Sequence, residues 1–542
     1  DPKFDLSGVK VKRAYLIITF TSSFATMSYA MILASIISDF TGEEILSQCL
    51  TMGPYLLGLG LGSIFGDRIK EEKAVKFIWD VEWLSVFSLP LIPLLHMILL
   101  FFFLHLSPMR INLEAKETTI FVLGLASVFA LFTGIMGGAQ LPLIIKLLKS
   151  KFKSEIILAI NYMGPLFAGP FVVLSNSSSI MASVQVGIVA LIQLSGLVLL
   201  LVASPKRIRS MLMMTLPILI IIGVNKIYPE IENLTVKASY LGTNMGEFSI
   251  EKTKSLVKIL NQYGHLERIR TSYQTVDLFT VPAAPEIQSP QNSTLYLNRK
   301  VQFNLFTADL YHQSMIYGGM NLFDKTPENI LILGAGDGIL LKELKRFPEI
   351  KKVDMIELDS GVIGFVKNHP VLSELNEGIF TNPDRRFNVK IADAITYLRR
   401  APEETQYDMM FIDFPFPDGH ELSKLYSTEF YSLVKKVTTP ETIVVIDLPI
   451  QRGEGGMLTR ETRVILKTLR EVGFVNQLPF GPMATFIAVK REGPQLEFRY
   501  DRFPSHLSLA ARINLIRTTD IEELSKTDDI TPVNSMFWPR GM

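Results

Sequence analysis

Apolar positions divide the chain in two. Before about residue 225 they form long unbroken runs, at about 14–38, 45–66, 78–104, 119–145, 155–176, 180–203 and 210–224. Runs of this length predict seven membrane-crossing helices, the last the shortest because Asn225 and Lys226 follow it. The long third and fourth runs contain Pro90, Pro93 and Pro142, which predicts tilt or a kink. Small residues recur in GLGLGSIFG (58–66) and GIMGGAQ (134–140), as close helix contact requires.

After residue 225 the pattern changes. A mixed stretch with a helical piece, IEKTKSLVKILNQYGHLERI, leads to β-type segments at 272–281 and 293–306, with a proline-containing loop between them. TADLYHQSMIY (307–317) reads as a helix. From about 329 to 490 strands and helices alternate, which predicts a mainly parallel, doubly wound sheet. The expected organisation is a transmembrane domain over 1–226, a linker over 227–271, a small β region and helix over 272–317, and a Rossmann-like domain with a C-terminal tail over 318–542.

Composition sharpens this division. Of 542 residues 48% are hydrophobic, and the mean hydropathy is +0.28, with the excess in the first part. The net charge of +1 argues against a nucleic-acid partner. A single cysteine, Cys49, rules out an internal disulfide framework and a cysteine-cluster metal site. The seven histidines show no paired metal-ligand spacing. Basic residues alternate between the connecting segments. Lys3, Lys10, Lys12 and Arg13 precede the first run; Arg68, Lys70, Lys73 and Lys76 follow the second; Lys146, Lys149, Lys151 and Lys153 follow the fourth; and Lys206, Arg207 and Arg209 follow the sixth. The opposite segments offer Arg110 and Lys116. The positive-inside rule therefore predicts a multi-pass protein of the plasma (inner) membrane with a cytoplasmic N-terminus. Seven full crossings put the C-terminal domain outside the cytoplasm; a seventh that stops short leaves it inside, and both stay open. Within the runs, Asp80 and Glu82 read as interfacial carboxylates, and His96, Gln140 and Asn161 as polar groups that join helices.

The candidate chemistry lies where strands end. In ILILGAGDGILL (330–341), Gly334, Gly336 and Gly338 allow a tight strand-to-helix turn and close ligand approach, and Asp337 stands inside it. Glu357 closes the next strand, about where an acid grips ribose hydroxyls. Asp393 closes the third in KIADAITYL and Asp413 the fourth in FIDFPFPDGHELSKLYSTEFY. Four acids at four strand ends favour a cationic nucleoside over a dinucleotide; the plainer alternative makes each a cap or turn residue.

GAGDG, IELD, ADA and LYSTEFY resemble the spermidine synthases, the polyamine aminopropyltransferases, and the multi-span first part makes the chain similar to their membrane-bound branch. The resemblance runs over nearly the whole chain, to Trp538. It implies transfer of an aminopropyl group from decarboxylated S-adenosylmethionine to putrescine or a similar amine, with no metal or redox cofactor. It implies that Asp337 holds the aminopropyl end of the donor, Glu357 the ribose, and Asp393 with Ala394 the adenine. Gln274, Gln302 and His312 line the donor site beside Gly334 and Gly336, Tyr311 faces the acceptor, and Asp413 accepts the proton that makes the amine nucleophilic. It further implies pairing through the small β region, as a homodimer or as a subunit of a membrane complex.

The departures lie around the acceptor. The family reads Asp-x-x-Asp-Pro at the fourth strand; here Asp413 is followed by Phe416 and Pro417. The expected amine-holding carboxylate is thus a phenyl ring. Asp418 is placed to compensate, or a ring face to hold the cation. Gln313 stands where many members have glutamate, FGPMATF (480–486) departs from a more polar pattern, and Gln140 and Asn161 fall where the membrane branch often has carboxylates. Three readings are weighed: an active aminopropyltransferase with altered amine preference, an inactive polyamine or nucleoside sensor or scaffold in a membrane complex, and a methyltransferase, disfavoured by the motif details.

Overall fold

The computed structural model describes residues 9–536 except 43, 88–90, 106–115, 150–151, 179, 204–214, 242–249, 282–291, 403, 418–419, 452–457, 483–484 and 500–530. The chain forms two compact units. The first comprises Asp1–Gln291 with Tyr296–Arg299, the second Asn292–Leu295 with Lys300–Met542.

The first unit is helical: α1 (Val9–Thr41), α2 (Glu44–Asp67), α3 (Glu71–Phe87), α4 (Leu91–His105), α5 (Lys116–Leu148), α6 (Ser154–Ser177), α7 (Ala182–Ala203), α8 (Thr215–Leu241) and α9 (Ile250–Tyr263). Five of these, within α1, α2, α5, α6 and α7, are long and apolar enough to cross a membrane, against the seven crossings expected. The third expected span is two helices, α3 and α4. Pro90 lies between them, and proline lacks an N–H and disfavours helix in the residue before it. The seventh lies in α8, which continues past Lys226, Glu230 and Glu232 and is too polar over its length to count.

Close approach of α2 and α5 explains the small residues. A Cβ at Gly62 would lie 2.1 Å from the Ile135 carbonyl oxygen, and one at Gly138 2.1 Å from that of Leu59. The backbones touch, which only glycine permits. Thr26 and Tyr55 share a 3.2 Å hydrogen bond between α1 and α2. His96 joins α4 to α8 through the Tyr228 hydroxyl at 3.2 Å, the helix-joining role expected of it. Glu82 is fully buried and faces Gln140 and Ser22, whereas Asp80 is exposed.

This unit also holds a β-hairpin, β1 (His265–Arg270) antiparallel to β2 (Thr275–Val281). Ion pairs tie it to the end of α1. Arg268 grips Asp277 through two bonds of 2.6 and 2.7 Å and reaches Asp39 at 3.2 Å. Arg270 also donates to Asp39. The Tyr240 hydroxyl donates to Asp277, and the Arg299 guanidinium lies 4.0 Å over the Tyr240 ring. Each buried charge thus meets an opposite one, as burial demands.

Strands β3 (Asn292–Leu297) and β4 (Lys300–Asn304) precede the core of the second unit. That core is a seven-stranded sheet of β5 (Asn329–Gly334), β6 (Lys352–Glu357), β7 (Phe387–Ile391), β8 (Tyr407–Asp413), β9 (Thr438–Asp447), β10 (Asn476–Phe480) and β11 (Phe486–Lys490), in the order β10-β11-β9-β8-β5-β6-β7. From β7 to β9 the strands are parallel; β11 runs antiparallel to β9 and to β10. This is the doubly wound sheet read from the strand–helix alternation. Side chains of β5 alternate between its two faces, Leu331 and Leu333 in one apolar cluster, Ile330 and Ile332 in another, so both faces are covered. Chain order reverses direction at β5, between β6 and β8, and ligands bind at the carboxyl ends of strands beside such a switch.

Replacing Gly138 by isoleucine forces α5 off α2, so the midpoint of thermal unfolding in detergent falls by several degrees, while the same change at Gly169, where a Cβ meets nothing within 4 Å, has little effect. Equal midpoints for the two variants would show that the contact does not hold the bundle together.

Candidate active site

The turn after β5 needs unusual backbone. Gly334 has φ +90° and Gly338 φ +75°. A Cβ at Gly334 would lie 2.1 Å from the Asp413 carbonyl oxygen, so only glycine lets β5 run this close to β8. The turn delivers Asp337 to the start of α11 (Ile339–Leu344), where its Oδ1 accepts from the Ile339 N–H at 2.8 Å. The Asn376 amide donates to the Asp337 carbonyl at 2.8 Å and fixes the loop from behind.

Helix α10 (Ala308–Met320) contributes two neighbouring side chains. His312 Nδ1 lies 2.6 Å from the Ala308 carbonyl oxygen and Nε2 3.2 Å from Asp337 Oδ2. Both ring nitrogens thus face acceptors, which suits the imidazolium. Burial opposes that charge, but Asp337 outweighs it and raises the His312 pKa; partial burial likewise opposes the charge of Asp337, but His312 holds it below its ordinary value. The Tyr311 hydroxyl donates to Asp413 Oδ1 at 2.8 Å. Its ring stands 5.0 Å from that of Phe486, which orients it.

Asp413 ends β8. Burial first, and then the negative charge of Asp337, push its pKa up to about 6. One ligand atom each from His312, Asp337 and Asp413 fall within 4.8 Å of one another. Two carboxylates against one imidazolium in so small a space leave an excess of negative charge that suits a further cation such as a protonated amine.

The sequence reading missed a fourth member. Asp447 ends β9, next to β8 and in register with it: Ile412 pairs with Ile446, one residue before each acid. Tyr311 stands beside it as well, and burial, then the charge of Asp413, raise the Asp447 pKa well above its ordinary value. The signal was in the sequence. TIVVID, like FID, is an apolar strand closed by an acid, but only the pairing of β8 with β9 shows that this acid neighbours Asp413.

The nucleoside-side candidates lie at the ends of β6 and β7. Glu357 is 9% exposed, accepts from the Asp359 N–H at 2.8 Å, and is pushed by burial up to about 7. A Cβ at Gly336 would come within 3.0 Å of Glu357 Oε2, so glycine keeps this carboxylate approachable. Asp393 caps the helix Ala394–Arg400 by accepting from the Thr396 N–H at 2.8 Å; Ala394 is buried behind it. The cap reading of Asp393 therefore holds, and it leaves one carboxylate oxygen outside that bond.

The remaining candidates lie on other elements. Gln302 on β4 donates to the Lys300 carbonyl at 3.3 Å. Gln274 belongs to the first unit, at the turn between β1 and β2, where its carbonyl accepts from the Thr271 N–H at 2.9 Å. Gln313 points to Glu343 at 3.5 Å. Phe416 is half-buried and packs on the apolar cluster that contains Phe414 and Phe430. Asp418 lies outside the described residues.

Residues 309–479 match the model of the spermine/spermidine synthase domain. They constitute a spermine/spermidine synthase domain. The chain is 26% identical to a polyamine aminopropyltransferase of Oceanobacillus iheyensis over 76% of its length and 72% of that protein's. It is 24% identical to polyamine aminopropyltransferase 1 of Streptomyces coelicolor over 85% and 79%. Similarity to the aminopropyltransferases therefore reaches well beyond the matched domain, over most of the chain. A solved spermidine synthase from Thermotoga maritima aligns with 50% of this chain and 81% of its own, at 16% identity and a TM-score of 0.33.

The His312–Asp337 pair gives a test within the synthase domain. Replacing Asp337 by asparagine removes the charge that raises His312, so the imidazole titrates at lower pH, read by NMR of the ring protons. A titration unmoved by that substitution would mean that another group sets the histidine charge.

Proposed function

We propose that this protein is a membrane-anchored aminopropyltransferase that uses decarboxylated S-adenosylmethionine as donor and an amine as acceptor. One observation carries it: a half-buried carboxylate, Asp413, close to Asp337 and held by the Tyr311 hydroxyl, with its pKa pushed up to about 6. A base poised there is ionised at neutral pH yet basic enough to take a proton from an amine held against it. Asp337 and His312 form the donor end, and Glu357, Asp393 and Ala394 the nucleoside end. The amine nitrogen, its proton passed to Asp413, bonds to the donor carbon next to sulfur. The carbon–sulfur bond breaks, its electron pair returns to sulfur, and methylthioadenosine leaves.

Purified protein in detergent, given decarboxylated S-adenosylmethionine and a panel of amines, is expected to release methylthioadenosine. The rate rises with pH through about 6, as Asp413 loses its proton, and levels above. Asp413→Asn lowers kcat by about 10²–10⁴. No release with any amine would sink the catalytic reading. A second reading rests on Phe416, whose ring packs into the core: a sensor that binds methylthioadenosine without turnover, which calorimetry would reveal.

The anchored reading extends to sidedness. Helix α1 starts beside the basic Lys10, Lys12 and Arg13, and Asp39, which holds Arg268 and Arg270, lies near its other end. From Arg13 to Asp39 a helix rises about 40 Å, more than the bilayer core of roughly 30 Å. With the basic end cytoplasmic, the hairpin lies on the non-cytoplasmic side. No later helix among the described residues is long and apolar enough to return. Alkaline phosphatase fused after Met542 is then active and green fluorescent protein at the same place dark; the reverse pattern would overturn this orientation.

A further inference from the structure

The aminopropyltransferase reading leaves the acceptor amine without the second carboxylate that Phe416 displaces. We propose that Asp447 supplies it, and that Asp413 and Asp447 together hold the reacting nitrogen of the acceptor as a primary ammonium. This rests on the reading above and names the group that recognises its substrate.

The geometry comes from the sheet. Parallel neighbours lie about 4.8 Å apart, and Asp413 and Asp447 each follow by one residue the register pair Ile412 and Ile446. Their side chains therefore leave the sheet on the same face. The Tyr311 hydroxyl stands beside both and donates to Asp413 at 2.8 Å. That one donor cannot satisfy two carboxylates: Asp447 Oδ1 is buried and has no hydrogen-bond partner among the described residues. A buried, unpartnered carboxylate oxygen is costly unless a donor or cation meets it. The groups facing Asp447 are Asp413 from β8 and Tyr311 and His312 from α10. The histidine is the single cation among them, and its two nitrogens are engaged by Ala308 and Asp337. An ammonium has three N–H donors and no acceptor, which is what two close carboxylates lack. Phe416 makes no comparable offer, because its ring is spent on the apolar core.

Two like charges this close cannot both ionise freely, so the pair retains a proton that an entering ammonium displaces. Binding is thus coupled to proton release, a mark that mere structural support would not leave.

Calorimetry of the full-length protein in detergent, with methylthioadenosine present and putrescine as probe, tests this without needing turnover. The wild type binds putrescine and releases a proton near pH 7, read from the dependence of the heat on the buffer's ionisation enthalpy. Asp447→Asn weakens putrescine roughly ten- to a hundredfold and abolishes the proton release, while methylthioadenosine still binds within about twofold, which reports an intact fold. The loss is of similar size for n-butylamine, because the contact is to the reacting nitrogen. If Asp447→Asn binds putrescine as the wild type does, or the loss is confined to putrescine, the assignment of Asp447 is wrong while the transferase reading stands. If the variant also loses methylthioadenosine, Asp447→Glu decides, since a restored carboxylate must restore both affinity and proton release. If the wild type binds no amine at all, the assignment falls, and absence of methylthioadenosine release in the separate turnover assay shows that the transferase reading falls with it.

Discussion

Buried negative charge is the constraint from which the site follows. β5, β8 and β9 are parallel neighbours or near neighbours in one sheet and end at one level, so Asp337, Asp413 and Asp447 come together, each half-buried, at one end of it. Three carboxylates in that position repel one another. The fold answers with one imidazolium, His312, and one hydroxyl, Tyr311, delivered by adjacent residues of α10. The histidine is fully committed to Asp337, so Asp413 and Asp447 remain short of positive charge. That shortage raises their pKa values and makes the site receptive to a cation. The same imbalance that would destabilise an ordinary core is what an amine-handling site requires.

Much of this was legible in the sequence because it is local. Gly334, Asp337 and the hydrophobic run before them lie in one short segment, and a tight turn after an apolar strand constrains both the backbone and the acid. Glu357 and Asp413 follow the same rule at successive strand ends. Tyr311 and His312 were legible only through family resemblance, since a Tyr-His pair on a helix carries no chemistry until the helix is laid against the sheet. Asp447 was missed because its role arises from register. The β8–β9 pairing joins residues more than thirty positions apart, and no local pattern announces which of several strand-ending acids will be neighbours.

The membrane part shows the same division between local and long-range information. Run length located the helices, although the third run holds two of them and the helix of the seventh continues past Lys226, Glu230 and Glu232. The small-residue segments found their explanation in backbone contacts between α2 and α5. Asp39 gave no sign of its importance. An acid near the end of a long apolar helix reads as interfacial, and only the hairpin's Arg268 and Arg270 reveal it as an anchor. Arginine suits that task because its planar fork can hold Asp277 through two bonds while still reaching Asp39.

Phe416 shows why a motif and a site are different objects. By the family resemblance an acid is expected after β8 at the position where Phe416 stands. Counted in space, the acid at the end of the neighbouring strand stands against the same tyrosine. A carboxylate reached from β9 is also held more rigidly than one on the segment after β8, since β9 is paired on both sides, by β8 and β11. Moving the charge from loop to strand leaves the phenyl ring free to pack on the core around Phe414 and Phe430. Apolar burial then stiffens the segment that carries Asp413, so the aromatic residue contributes to positioning the base even though it offers no charge of its own.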